Sequence, residues 1–420
     1  MTSETNTERA LTAAWRDEWG RLLALLVAQY RRLELAEDGL GDAFEIAART
    51  WSRDGAPANA AGWLLTVARR RVIDRLRSEV VASKKLPMLA VEADLQERAE
   101  KIMSDAGEVF DERLRLVLLC AHPALAPESA AALTLRLVLG VSTEDIARLF
   151  LVSTPTMAAR LTRARKRLAG ARFDLPEGDE LVERVTMVTT VAYLAFTTGY
   201  APGSGAEVLR AAVAAEAIRL VRVLRSALTS TVGDRLLPVG MASELDALLA
   251  LMLLQHARRD ARISTTDGTV VLLPEQDRSR WHHEEIDEAL GLLTPHVLAP
   301  AAPYLLEALI AAEHAVARDA SDTDWPRIST RYAELEGLTS SPVVRLNRAV
   351  AVAEADGPLA GLALLEGLDL PGHRLPATRA ELLARAGRTD EARTWFTTAL
   401  GLCRNGAERA HLASRLAALE

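Results

Sequence analysis

Apolar residues recur at three- and four-residue steps along most of this chain, the period of a helix with one buried face. Trp15, Trp19, Leu22, Leu26 and Tyr30 form one such stripe, and Met157, Leu161, Ala164 and Leu168 form another. Alternating Val- and Ile-rich runs, the mark of strands, are scarce, so the pattern predicts an all-α protein. The first helical block runs from about residue 8 to residue 79, broken by turn formers between Ser52 and Ala61 that include Asp54-Gly55 and Pro57. Residues 80–109 are polar and mixed in charge, which reads as a linker with some helix. A second block spans Phe110 to Arg172, and Pro176 and Gly178 mark a boundary after it. From Asp179 to Glu420 helix follows helix, with breaks at Ala201–Gly205 and Thr266–Gly268.

The second block ends in a distinctive arrangement. Thr143–Phe150 reads as a short helix, Leu151-Val-Ser153 as a tight connection, and the following residues as a second helix rich in cations. That spacing suits a helix-turn-helix, whose second helix enters the DNA major groove. Opposite its apolar stripe lie Pro155, Thr156, Ala159, Thr162, Arg163 and Lys166, flanked by Arg160, Arg165 and Arg167. Residues 160–172 contain no acidic side chain. Ser142 and Ser153 fit helix N-caps.

Charge and composition sharpen this picture. At 420 residues the chain exceeds one ordinary core, so roughly two to four domains are expected. Residues 1–172 carry 26 Lys+Arg against 23 Asp+Glu, whereas the rest carries 24 against 34, so the formal net charge of −7 hides an asymmetry. Nucleic acid is therefore expected at the N-terminal part only. Cys120 and Cys403 lie far apart in apolar helical surroundings, as buried free thiols do. The polar Met1–Ala10 segment has no apolar signal core, and no apolar run approaches bilayer length, so a soluble cytoplasmic protein without a membrane partner is expected.

Signals for catalysis or metal are weak. In His282-His-Glu-Glu285 the adjacent histidines point to different helix faces, and the i, i+4 spacing of a zinc helix is missing. Asp322-Thr-Asp324 lacks the Gly and Glu offsets of a calcium loop, and Trp325-Pro326 reads instead as a helix start capped near Asp324. With no phosphate loop or nucleophile elbow, no enzyme activity, cofactor or metal is expected. Gly387–Leu400 matches the second half of a tetratricopeptide repeat, with Ala392, Phe396 and Ala399 at the small, aromatic and small packing positions, and Asn347–Leu365 resembles such a hairpin more loosely.

Two motif groups carry a family resemblance. Ala36-Glu-Asp-Gly-Leu-Gly-Asp-Ala-Phe44 and Gly62-Trp-Leu-Leu-Thr-Val-Ala-Arg-Arg-Arg-Val-Ile-Asp-Arg-Leu-Arg77 resemble sigma domain 2, and Thr156-Met-Ala-Ala-Arg-Leu-Thr-Arg-Ala-Arg165 resembles sigma domain 4. In order and spacing these resemble an alternative sigma factor of the extracytoplasmic-function (ECF) type. Asp111–Leu125, Asp277–Trp281, Asp322–Pro326 and Ser341–Val350 resemble the subgroup with a large helical, repeat-like C-terminal extension. The resemblance implies sigma domain 2 over 8–80, a linker over 81–108, sigma domain 4 over 109–173 and a tetratricopeptide-like extension over 179–420. It implies core RNA polymerase and promoter DNA as partners.

Within that frame, Asn59 would hold a flipped base, and Arg69, Arg70, Arg71, Arg75 and Arg77 would serve the −10 element. Thr156, Ala159 and Arg163 would face the −35 major groove, while Arg160, Arg165 and Lys166 meet backbone phosphates. Asp38 and Asp42 would face the polymerase. Gly39 and Gly41 depart from the family pattern, and each helix-interior Gly costs about 1 kcal/mol relative to Ala, so weaker docking of that helix is expected. Asp324, Trp325, Asn347 and Arg348 are candidates for a surface on the extension, which would regulate by an intramolecular contact or receive a protein partner. A different class also fits: a stand-alone helix-turn-helix regulator with a helical sensor or scaffold domain, which would have no use for the domain 2-like block.

Overall fold

In the computed structural model, residues 2–83, 106–150, 152–168, 175–200, 211–231, 240–264 and 271–419 are described. Most of the predicted linker, the two predicted breaks and Arg172 lie outside them. The architecture is all-α, and among the described residues no strand forms. Nor is any helix there long and apolar enough to cross a membrane. The chain divides into two compact units, one of Met1–Ala192 with Arg222–Leu237, the other of Tyr193–Val221 with Pro238–Glu420.

The first unit begins with α1 (Thr2–Tyr30), α2 (Leu33–Asp54) and α3 (Ala60–Ser83). The α1 stripe is buried as its period requires, with Trp19, Leu22 and Leu26 fully enclosed, and α1 packs on α2, where Leu40, Phe44 and Trp51 are also buried. Trp15 stacks on Trp19 with centroids 4.3 Å apart and meets Phe44 edge-on at 4.8 Å. Trp63 makes an edge-to-face contact with Trp51 at 5.5 Å, a packing role for that ring. Gly39 sits where α2 crosses α3: a Cβ there would lie 2.5 Å from Val72 Cγ2 and 3.1 Å from the Ala68 carbonyl oxygen. The glycine that looks like a helix defect in sequence is therefore what lets the two helices approach. Gly41 has open space around it and no such reason.

Next come α4 (Ala106–Cys120), α5 (Pro127–Leu137), α6 (Thr143–Leu149) and α7 (Thr154–Leu168). Pro127 opens α5, where its missing N–H costs no helical bond. Helix α1 packs on α4 and touches α5. Gly140 turns the chain after α5 with φ of +70°, and its carbonyl accepts a hydrogen bond from Trp15 Nε1 at 2.8 Å. Cys120 is buried, and burial pushes its thiol up, away from reactivity.

Helices α8 (Gly178–Tyr200) and α9 (Ala211–Thr231) each contribute residues to both units. The second unit is organised on α10 (Met241–His256), in which every residue from Ala247 to Leu254 is buried. Helices α11 (His283–Leu293) and α12 (Pro303–Val316) pack on it. Glu244 reaches from α10 to accept from the Tyr304 and Leu305 backbone N–H groups at 3.2 and 3.0 Å, satisfying the open donors at the start of α12. Then α13 (Trp325–Thr339), α14 (Pro342–Asp356), α15 (Pro358–Leu364), α16 (Arg374–Arg385), α17 (Thr389–Leu402) and α18 (Gly406–Ala417) follow, each packed on its neighbour in sequence. Ala392, Phe396 and Ala399 point into the α16–α17 core and are fully buried.

Candidate nucleic-acid interface

The two helices α6 and α7 are built by local chemistry. Ser142 Oγ accepts from the Asp145 N–H at 3.1 Å and so caps α6. The connection closes through Phe150 N–H to the Ile146 carbonyl and Val152 N–H to the Ala147 carbonyl, both at 3.0 Å. Ser153 then starts α7, its carbonyl accepting from Met157 N–H at 3.0 Å and its hydroxyl lying 2.8 Å from that of Thr156. Met157, Leu161, Ala164 and Leu168 are all buried, as the stripe predicts. Thr156, Ala159, Arg163 and Lys166 are exposed together on the other side. With no acidic residue in α7, that face is cationic, and the positive charges of Arg165, Lys166 and Arg167 sit where the helix dipole favours them. Arg160 lies over the Phe150 ring at 5.8 Å.

Arg165 is placed differently from its expected position on DNA phosphates. Its guanidinium turns inward to Glu37 of α2, donating from Nε and Nη2 at 2.9 and 3.0 Å. Arg136 of α5 donates to the same carboxylate at 2.9 Å and also to the Val141 carbonyl at 3.3 Å. Glu37 is only 7% exposed, so one buried carboxylate joins α2 to α5 and α7. Sequence reasoning missed it, although a signal was present. Glu37 lies on the same helical stripe as Leu40, Phe44 and Trp51, and a carboxylate on an apolar stripe needs a cation.

The α2–α3 pair shows a similar division of labour. Arg70, Arg71 and Arg77 are exposed along α3, with Asp74 exposed between them, so this face carries a net positive charge. Arg69 instead donates to Gln29 Oε1 at 3.1 Å. Arg75 ion-pairs with both Asp38 at 2.8 Å and Asp42 at 2.9 Å, so the residues expected to serve DNA and polymerase separately meet each other here. Asn59 is the N-terminal cap of α3: its Oδ1 accepts from Gly62 N–H at 2.8 Å, and its carbonyl from Trp63 N–H at 3.1 Å. The loop position expected to hold a base thus has a structural task that occupies its side-chain oxygen.

In the second unit, Asp324 caps α13 by accepting from Arg327 N–H at 3.0 Å. Trp325 packs edge-on against His314 with centroids 5.2 Å apart, and Arg348 donates to Glu336 at 2.9 Å. Asn347 is exposed. These four do not converge on one point. His282 contacts Asp260 at 2.7 Å, Glu285 joins His256 and Arg259 at 3.0 Å, and Arg259 also lies 3.0 Å from His282 Nδ1, so the His-His-Glu-Glu run enters one polar network. Burial raises the Glu285 carboxyl, but the His256 hydrogen bond and charge and the nearby Arg259 outweigh it and hold the group low. Among the described residues, His373, Cys403 and Glu408 bring three potential metal donors within 4.8 Å of one another. His373 and Glu408 already pair at 3.0 Å.

Comparison with known proteins matches this geometry. Residues 115–168, which end at the last residue of α7, match the family model described as sigma-70, region 4. Residues 184–296 match a family of unknown function, DUF6596. An uncharacterized protein of Rhizobium meliloti (strain 1021) is 39% identical over 405 residues, covering 94% of this chain and 92% of that protein. No solved structure matches the chain significantly. The near end-to-end identity places the chain in one family with that Rhizobium meliloti protein, and a cationic helix-turn-helix that matches region 4, followed by the DUF6596 segment, supports a sigma-70-family factor.

Proposed function

We propose that the chain is an alternative sigma factor of the ECF type, which binds core RNA polymerase and directs it to specific promoters. The exposed, acid-free face of α7 within the region 4 match carries this reading. In it, Thr156, Ala159 and Arg163 read the −35 element, with Arg160 and Lys166 on its phosphates. Residues 8–80 act as sigma domain 2, where Arg70, Arg71 and Arg77 engage the −10 element. The helical extension from 179 onward is regulatory and tetratricopeptide-like, and the protein works in the cytoplasm beside the polymerase. No chemical step is assigned to the chain.

The test is promoter-directed run-off transcription with purified core polymerase and the full chain on a selected promoter pool. Protein-dependent transcripts that start at defined sites are expected. DNA binding without core binding and without transcripts would replace this reading with a stand-alone helix-turn-helix regulator.

A further inference from the structure

The second unit contains a cavity of about 460 Å³. Leu251, Leu254, Ile310, Leu335 and Val344 supply apolar walls, and Tyr193, Glu307 and Tyr332 supply a polar end. Its size suits a small molecule and excludes a folded partner. Glu307 is the unusual member. Its Oε2 accepts from the Tyr193 hydroxyl at 2.9 Å, and among the described residues it has no ion-pair partner.

Other carboxylates packed inside this unit are compensated. Glu313 pairs with Arg331 at 2.9 Å and Arg327 at 3.3 Å, Glu285 pairs with His256 and Arg259, and Glu244 accepts two backbone N–H groups. Glu307 alone of these four lines the cavity without a countercharge. Burial pushes its carboxyl above the ordinary range, the Tyr193 hydrogen bond draws it back, and the charge of Glu244 raises it again. The ring of Tyr193 is fixed edge-on to Tyr304 at 5.4 Å, so the aromatic side of the site is rigid.

We propose that this cavity binds a small organic cation, a primary or quaternary ammonium with an apolar body, whose charge sits at Glu307 beside the Tyr193 and Tyr332 rings. A carboxylate with aromatic neighbours favours an ammonium through ion pairing and ring faces together. The leucine and isoleucine walls take the apolar body. Arg258 and His314 also border the cavity, with the Arg258 guanidinium 6.0 Å from the Trp281 ring centroid, and Glu307 is the one carboxylate among the lining residues. This inference concerns a ligand of the second unit and stands apart from promoter recognition.

The experiment is calorimetric titration of the purified full chain with 2-phenylethylamine, phenyltrimethylammonium and 3-phenylpropionate. Saturable binding of at least one cation and none of the anion is expected. Glu307→Gln should weaken that binding by about tenfold or more, the scale of a lost charge-assisted contact, with circular dichroism confirming the fold. If that variant does not fold, Ala311→Leu, which fills the cavity from its wall, should abolish binding instead. Absence of saturable binding by both cations, equal binding of the anion, or unchanged affinity in the variant that folds would overturn the proposal.

Discussion

Two glycines four turns from the end of α2 show how differently one residue type can act within a single helix. Gly41 has no neighbour near its missing Cβ, so Gly41→Ala should stabilise the protein by about 0.5–1 kcal/mol through helix propensity. Gly39→Ala should instead destabilise it, by about 1–3 kcal/mol, because the added carbon meets Val72 and the Ala68 carbonyl. Paired urea melts of the two variants check the opposite signs. His314 gives a second test at this scale. Burial, reinforced by Arg258 and Arg278, lowers its pKa from 6.5 to about 4. The unfolded chain therefore binds the proton more readily between those values. The stability this neutral histidine contributes is present above pH 6.5 and is lost as pH falls towards 4. His314→Gln should flatten that part of the melting-temperature profile between pH 4 and 6.5.

At the scale of elements, the buried Glu37 carboxylate is the joint between α2 and the helix-turn-helix. Removing its charge leaves Arg136 and Arg165 without their anion in a half-buried place. Glu37→Gln should cost about 3 kcal/mol in denaturant unfolding, the range for breaking a buried pair from one side. In the proposed promoter complex Arg165 would meet phosphate only after leaving Glu37. The same variant should therefore bind −35 DNA more tightly at equal folded fraction, measured by fluorescence anisotropy. In that proposed complex Arg163, exposed on the outer face of α7, would have the opposite role. Arg163→Ala should weaken specific binding by about 1–3 kcal/mol while leaving the melting temperature nearly unchanged.

At the scale of the whole molecule, the first compact unit extends beyond the helix-turn-helix. Leu181, Val185 and Val188 of α8 are buried, and Arg184 is buried with a hydrogen bond to the Leu118 carbonyl at 3.3 Å. A fragment ending at residue 175 loses these groups and also Arg222–Leu237. It should melt several degrees below a fragment ending at residue 237. Comparison of the two by calorimetry decides this, and an effect of truncation on transcription is interpretable only against that difference in folding.

What the sequence determined by itself is what three- and four-residue neighbours decide. The all-α class, the inward stripe of α7 with its cationic outer face, the Ser142 cap and the start of α13 at Asp324 were all legible, because period and capping act within one or two turns. Tertiary structure decided which charges are spoken for. Glu37 finds Arg136 and Arg165 at separations of 99 and 128 residues, and Arg75 finds Asp38 and Asp42 across a helix pair. The need for glycine at 39 and the uncompensated carboxyl at 307 likewise arise only when distant helices pack. A charged side chain carries no local sign of its partner. Desolvation by the packed helices makes a partner necessary, and their crossing chooses it.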